Sequence, residues 1–153
     1  MNRFAPPDPD FAARVRDSFA RHAFLRLIGA ELVETAPGIC TIAVRVRADL
    51  CQQHGFIHAG VTATIADTAA GYAAFSLMPA GSSVLTTEFK INLMAPARGA
   101  RLVARAEVLK PGRTLTVASV QVHAETGGER TCIAAMLASL ICLKDTADTA
   151  PPA

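Results

Sequence analysis

The feature that most restricts how this chain can fold is the apolar tract across residues 55–80. Within it, Gly60–Met78 has a helical pattern that is apolar on nearly every side, and Pro79 ends it. Such a helix is stable only when other elements enclose it. The tract also contains Asp67, and a carboxylate near the middle of a membrane span costs about 2.5 to 3.5 kcal/mol. The tract therefore predicts a buried helix and not a membrane span.

Strand patterns on both sides of this helix predict the sheet that encloses it. Before the helix, residues 31–36 and 39–50 are separated by a Pro37-Gly38 turn and predict a hairpin. Strands grouped on either side of one helix, without strand–helix alternation, indicate an α+β fold with an antiparallel sheet. Four further strand-like stretches follow the helix, at residues 82–95, 100–110, 113–126 and 129–143.

An additional helix is predicted before the first strand, over about residues 10–28. Apolar side chains recur every four residues across Phe11–Phe19, and Gly29 supplies a stop. The arginines on the other side of this helix are expected to face solvent. We interpret the chain as a single domain over residues 1–144, with residues 145–153 as a flexible tail.

Composition narrows the classes of function. Of the 153 residues, 51% are hydrophobic and 18% are charged, which excludes a disordered chain and leaves more apolar surface than a small monomer hides. We therefore expect self-association. The net charge of +2, the lack of Trp and the single Tyr argue against a surface for nucleic acid.

The four cysteines form no CxxC pair, so we predict no zinc site and a reducing environment. Residues 1–10 lack the apolar core of a signal peptide, so we predict a cytoplasmic location.

Asp67 requires a compensating partner, because an uncompensated buried carboxylate is strongly unfavourable. Taken alone, this residue fits a structural cap or ion pair as well as it fits a catalytic group. The residues before the helix favour catalysis, because they place a polar cluster at the helix N-terminus, where backbone N–H groups and the helix dipole stabilise negative charge. The cluster consists of Gln52, Gln53, His54, His58, Ala59 and Gly60.

This cluster predicts an oxyanion hole. The N–H of Ala59 or Gly60, together with an amide such as Gln52, could hold a developing thioester or ester oxyanion while a carboxylate acts on the carbon. His58 by itself is more typical of a capping or core histidine. Asp67 lies about seven or eight residues beyond the helix start, which is about 10 to 12 Å along the axis. Because both groups must approach within about 3 Å of the reacting group, either the entry loop folds back or Asp67 comes from a second copy, and we favour the second copy.

The order of these motifs resembles that of the hotdog-fold acyl-CoA thioesterases associated with phenylacetate degradation, the PaaI-like family. The pattern of that family is approximately Asn-x-x-Gly-x-x-His-Gly-Gly, with an Asp nine residues after the His. Residues 52–60 and Asp67 match it here. The resemblance covers roughly residues 20–144. Three later segments fall where the family has its strand, turn and glycine-basic motifs, namely Val84–Thr86, Asn92–Ala97 and Lys110–Thr114.

The resemblance implies a hotdog fold, in which an antiparallel sheet of five to six strands wraps around one long central helix. It also implies a homodimer or a dimer of dimers with its sites at the interface. By position, Gln52 and the Ala59 N–H would polarise the thioester carbonyl, and His58 would help to shape that loop. Asp67 and Thr86, supplied by the other subunit, would act on the attacking water. The other implied substrate-binding positions are Gly60, Gln53, Lys110, Gly112 and Arg113, the last three for the phosphates or pantetheine of coenzyme A.

Two departures from the family pattern concern the oxyanion donors. Gln52 stands where Asn is common, which keeps the amide but lengthens its reach and leaves Gln53 as an alternative donor. Ala59 replaces the first Gly, which is acceptable if the backbone N–H is the working group and no positive φ is needed.

The expected activity is hydrolysis of an acyl-CoA with a medium-chain or aryl-acyl group. Asp67 would act as general base, or as nucleophile through a transient anhydride. A non-catalytic acyl-CoA-binding module is the main alternative. An acyl-thioester hydratase is less favoured, because the dehydratases resemble a His-Phe-Pro-Gly pattern that His58–Gly60 lacks. We expect no metal and no cofactor, since coenzyme A is part of the substrate, and no nucleic-acid or membrane partner.

Overall fold

The computed structural model describes residues 3–149, and in them six strands form one antiparallel sheet around a central helix. The elements in chain order are α1 (Phe11–Arg21), α2 (Ala23–Ile28), β1 (Ala30–Ala36), β2 (Ile39–Arg45), a 3-10 turn (Ala48–Leu50), α3 (Ala59–Phe75), β3 (Ser83–Leu93), β4 (Arg101–Lys110), β5 (Leu115–Thr126) and β6 (Glu129–Leu143). The strand order in the sheet is β1-β2-β4-β5-β6-β3. The predicted α+β architecture with a sheet of five to six strands is therefore confirmed.

Helix α3 fills the concave side of the sheet. Its sheet-facing positions are mostly alanine, and Ala66, Ala69, Ala70 and Ala73 are completely buried. Small side chains allow the strands to approach the helix closely on several sides. The helix ends at Phe75, three residues earlier than predicted, and a turn carries the chain to Pro79. No helix in the described part of the chain is both long and apolar enough to cross a bilayer.

The prediction of one continuous helix over residues 10–28 is wrong, because the chain breaks at His22, where ψ is 96°. The break allows Val15, Leu25 and Ile28 to be buried together. At 100° per residue, a continuous helix would point Ile28 about 140° away from Val15. The tertiary core therefore overrides the local helical pattern.

Arg14 of α1 binds main-chain oxygens near the end of α3, although the sequence pattern predicted that it faces solvent. The guanidinium of Arg14 donates to the carbonyl oxygens of Phe75 (3.0 Å), Met78 (2.7 Å) and Pro79 (2.6 Å). The Phe75 carbonyl belongs to the last residue of α3, and those of Met78 and Pro79 belong to the turn that follows the helix. Arg14 thus ties the N-terminal helix to the central one.

The first part of the predicted flexible tail contacts the domain. Arg21 donates to the main-chain oxygen of Asp148 at 2.7 Å and to its Oδ2 at 3.0 Å. This contact holds the chain after β6 against α1. The rest of the predicted tail, residues 150–153, and the first two residues lie outside the described residues.

Burial predicts different reactivities for the four cysteines, all of which are free. Burial, reinforced by the charge of Glu34, raises the pKa of the Cys40 thiol to about 12, and the thiolate is the reactive form. We expect Cys51 and Cys132, which are partly exposed, to be alkylated by N-ethylmaleimide in the folded protein well before Cys40. Mass spectrometry of timed reactions measures this order. Equal rates at all four thiols would contradict it, and the denatured protein is the control.

Candidate active site

The loop before α3 forms a tight turn that brings Gln52 next to the helix start. The N–H of Gln52 donates to the Phe56 carbonyl at 2.8 Å, and the N–H of Gly55 donates to the Gln52 carbonyl at 2.9 Å. Gly55 closes the turn with a φ of +80°, which a residue with a side chain rarely adopts. The N–H of His58 then bonds the Leu50 carbonyl at 2.9 Å. The loop folds back on its own beginning, so residues 52 and 59 line one cavity.

The side chain of Gln52 is held in one orientation. Its Oε1 accepts a hydrogen bond from the backbone N–H of His54. Because an amide has an acceptor oxygen and a donor nitrogen, this bond leaves the two Nε2 hydrogens as donors for a ligand. Gln53 lines the same cavity of about 640 Å³, but its amide lies 3.5 Å from the His54 ring. Gln52 is therefore the better-positioned amide.

Hydrogen bonding at the start of α3 distinguishes the two candidate oxyanion donors. The N–H of Gly60 donates to Nδ1 of His58 at 2.9 Å, so this donor is already used. The N–H groups of Val61 and Thr62 point to the His58 carbonyl. Among the described residues, the Ala59 N–H has no hydrogen-bond partner. The arrangement leaves Ala59 as the free donor at the helix N-terminus, where the dipole favours an anion.

The hydrogen bond from the Gly60 N–H also determines which ring nitrogen of His58 carries the proton. A neutral imidazole with Nδ1 as acceptor carries its proton on Nε2. His58 is exposed and lines the cavity with Ala59 and Gln52, so its Nε2–H is a further donor there. His58 is thus the helix cap that its sequence position predicts, and its second nitrogen stays available for a ligand.

Asp67 lies midway along α3 and contacts the edge strand β3. Its Oδ1 accepts a hydrogen bond of 2.7 Å from Oγ1 of Thr86. Thr86 stands at a register shift between β3 and β6, and such bulges redirect side chains. The pair lines a second cavity, of about 390 Å³. One carboxylate oxygen is thereby fixed, and the structure brings together the two residues that the resemblance assigned to the attacking water.

The two halves of the predicted site do not meet within one chain. Ala59 and Asp67 are eight residues apart on α3, about 12 Å along the axis. Among residues 3–149, the cavity at Gln52 and the cavity at Asp67 have no lining residue in common. The entry loop folds back, but onto Gln52 and not toward Asp67. A single chain therefore offers an anion-stabilising half and a carboxylate half that face different cavities.

The basic turn between β4 and β5 lies away from both cavities. Gly112 and Arg113 line a third cavity with Leu77 and Pro79, beyond the C-terminus of α3. The helix is 17 residues long, about 25 Å, so Lys110, Gly112 and Arg113 are not brought to the oxyanion half of the same chain. A Cβ on Gly112 would collide with the carbonyl oxygen of Leu115. Backbone packing therefore explains why this position is a glycine.

The sequence analysis did not predict several residues that line the Asp67 cavity. Gly71 and Tyr72 follow Asp67 by four and five residues, so the helical period could have indicated that they lie near it. Ser18 comes from α1, and its Oγ lies 3.1 Å from the Tyr72 hydroxyl. Burial raises the pKa of Tyr72, which keeps this hydroxyl neutral. Only the tertiary structure reveals Ser18 and Asp148 as lining residues.

Metal binding has no support in the described residues, where no group of three or more His, Cys, Asp and Glu side chains could hold an ion. The chemistry available comes from backbone N–H, amide, imidazole, hydroxyl and carboxylate groups.

Comparisons with known proteins agree on one family. Residues 54–131 match the family model of the thioesterase superfamily. Acyl-coenzyme A thioesterase 13 of Homo sapiens is 32% identical over 108 residues, which are 69% of this chain and 76% of that protein. A solved thioesterase family protein from Silicibacter pomeroyi is 48% identical, with a TM-score of 0.86 over 88% of this chain and 98% of that one.

A more distant structure has the same fold. The E. coli PaaI protein from the phenylacetic acid degradation operon superposes with a TM-score of 0.81 over 90% of this chain and 96% of that one. Its sequence identity is 19%, so this likeness concerns the fold alone. The hotdog arrangement expected from the motif order is confirmed by it.

Proposed function

The chain belongs to the thioesterase superfamily, and from that premise we propose that it hydrolyses an acyl-CoA thioester to the free acid and coenzyme A. The prediction of a thioester hydrolase is confirmed, because its relatives are named thioesterases. The observation that carries the proposal is the free N–H of Ala59 beside Gln52 in one cavity, with the Thr86–Asp67 pair in another.

The oxyanion half of the site would polarise the thioester. Attack on the thioester carbon places negative charge on the carbonyl oxygen. The Ala59 N–H, the helix dipole and the Nε2 hydrogens of Gln52 favour that charge. His58, with its proton on Nε2, adds a donor on the same wall. Gly60 contributes by fixing His58 and not as the oxyanion donor, because its N–H is already bonded to that ring.

The carboxylate half would supply the attack. Thr86 holds Oδ1 of Asp67, which leaves Oδ2 to take a proton from water as that water attacks the carbon. The C–S bond then breaks, and the proton from water goes to the coenzyme A thiolate. Alternatively, Asp67 attacks the carbon directly, the C–S bond breaks to release the coenzyme A thiolate, and a mixed anhydride forms. Water then hydrolyses the anhydride to the free acid and the Asp67 carboxylate, and a proton from that water goes to the thiolate. Both routes need the Asp67 carboxylate.

We propose that a second copy of the chain completes each site. The edge strand β3 exposes Leu85 (56%), Phe89 (43%) and Leu93 (56%), and an open, apolar strand edge pairs readily with another chain. Asp67 and Thr86 lie directly beside this edge. Pairing there, as a dimer or as part of a dimer of dimers, would let one copy's carboxylate half face the other copy's oxyanion half.

The substrate is proposed as a medium-chain or aryl-acyl thioester of coenzyme A. We propose that the reaction uses no separate cofactor, because coenzyme A is part of the substrate. Lys110 and Arg113 are proposed as contacts for its phosphates, with Gly112 shaping their turn, and they could serve a site only across the interface. Four free cysteines suit a reducing, cytoplasmic setting.

The deciding experiment incubates the purified protein with acyl-CoAs of several chain lengths, phenylacetyl-CoA and hydroxylated aryl-CoAs, and follows thiol release. We expect release with at least one medium-chain or aryl substrate. A rise in Tm with acyl-CoA but no thiol release would favour a binding module instead. Water addition to an enoyl-CoA without thiol release would favour a hydratase. Light scattering at micromolar concentration checks the shared site, because a strict monomer would contradict it.

A further inference from the structure

Gly71 lies one helical turn after Asp67 and lines the same cavity. Residues four apart on a helix are about 6 Å apart along the axis and project from the same face. A side chain at position 71 would therefore extend into the space beside the Asp67 carboxylate. Gly71 is partly exposed, whereas Ala70 and Tyr72 on either side of it are buried.

Nothing in the fold of one chain requires glycine here. A Cβ added to Gly71 would have Leu140 Cδ2 as its nearest neighbour, at 3.9 Å, which is an ordinary van der Waals contact. Its backbone is helical and has no positive φ. Glycine is also a poor helix former compared with alanine. The glycine thus weakens α3 without a packing reason in the chain itself.

Reaction geometry places the acyl group close to Asp67. The water activated by Asp67, or the carboxylate itself, must approach within about 3 Å of the thioester carbon. The first carbons of the acyl group therefore pass within one helical turn of Asp67. The neighbouring walls already carry side chains, from Thr68 on the helix and Leu85 on β3. Position 71 is where the wall has no side chain.

We propose that Gly71 keeps room for the acyl group beside Asp67 and thereby allows the site to accept large acyl groups. This inference rests on the proposed function. It makes Gly71 a specificity-determining residue: it contributes no reacting atom, but its missing side chain admits bulky or long acyl groups. The competing explanation is that Gly71 only allows a second copy of the chain to approach α3.

The test compares wild type with Gly71→Ala and Gly71→Val on straight acyl-CoAs from acetyl to dodecanoyl and on phenylacetyl-CoA. We expect Gly71→Ala to raise Tm by about 2 to 4 °C while lowering kcat/KM for the larger substrates several-fold. For Gly71→Val we expect a loss of at least about tenfold with large acyl groups and a change below about twofold with acetyl-CoA. The matched control is Ala13→Val, which places the same side chain at an exposed position of α1.

The outcomes separate this inference from the proposed function. An equal loss for all acyl lengths, or an unchanged profile, would overturn the role of Gly71 while wild-type turnover still supported the thioesterase. Loss of the oligomer in Gly71→Ala, seen by light scattering, would show that the glycine serves packing between copies. If wild type hydrolysed none of the substrates, the proposed function would fail. Calorimetric Kd values would then test Gly71, with a length-dependent weakening in Gly71→Val supporting the role and its absence overturning it.

Discussion

Replacement of Asp67 by asparagine is expected to lower kcat for acyl-CoA hydrolysis by about 10²- to 10⁴-fold, with little change in KM. The loss follows because an amide can neither take the proton of the attacking water nor form an anhydride. Asparagine has the shape of aspartate, and its Oδ1 can keep the hydrogen bond from Thr86. The fold should therefore persist, and Tm should change by no more than a few degrees. Thiol release under saturating substrate measures the effect.

Two controls make this result specific to the site. Asp17→Asn removes an exposed carboxylate from α1 and should leave kcat unchanged. Thr86→Val keeps the size of the side chain but frees Oδ1 of Asp67, so a smaller loss in kcat is expected. An Asp67→Asn protein that hydrolyses acyl-CoA at the wild-type rate would remove Asp67 from the mechanism.

The elements that carry the fold are visible in the sequence because their signals are local. The apolar tract at Gly60–Met78 can bury its side chains only when other elements enclose it. Alternating apolar and polar residues, bounded by Gly or Pro turns, indicate each strand. These signals also predicted that Gln52 and Ala59 lie on either side of one short loop, and the two residues line one cavity. Local geometry was sufficient wherever the partners are close in sequence.

Such local signals do not predict contacts between segments that are far apart in the sequence. The break at His22 depends on burying Leu25 in the shared core, and no pattern within residues 10–28 reports it. Ser18 reaches Tyr72 across 54 residues, at the far side of the Asp67 cavity. The closeness of Thr86 and Asp67 came from the family resemblance, and their hydrogen bond depends on β3 lying at the sheet edge next to β6, which strand count alone does not specify.

The donor status of Ala59 also needed the structure. From the residues alone, Ala59 and Gly60 are equivalent candidates at a helix N-terminus, and only the family resemblance favoured Ala59. The imidazole of His58 distinguishes them by taking the Gly60 N–H. A side chain two residues away thus decides which backbone group can meet an oxyanion.

Ala59→Pro should remove this donor with little disturbance to the fold. Ala59 is the first residue of α3, a position at which proline is favoured because its N–H has no helical partner. His58, with φ −59° and ψ 136°, already has the backbone geometry that precedes a proline. We expect a loss of about 10²- to 10³-fold in kcat, with Tm close to that of wild type. Unchanged kcat would exclude the Ala59 N–H as an oxyanion donor.

Mixing two inactive variants then tests whether each site is shared between copies. If the carboxylate half comes from one chain and the oxyanion half from the other, a heterodimer of Asp67→Asn and Ala59→Pro contains one intact site and one doubly damaged site. Random exchange makes half of the dimers mixed, so about a quarter of wild-type activity should return. Native mass spectrometry of differently tagged chains verifies the exchange. The control pairs Ala59→Pro with Gln52→Ala, both in the oxyanion half, and should recover nothing. Verified heterodimers of the first pair that stay inactive would show that each chain builds its site alone.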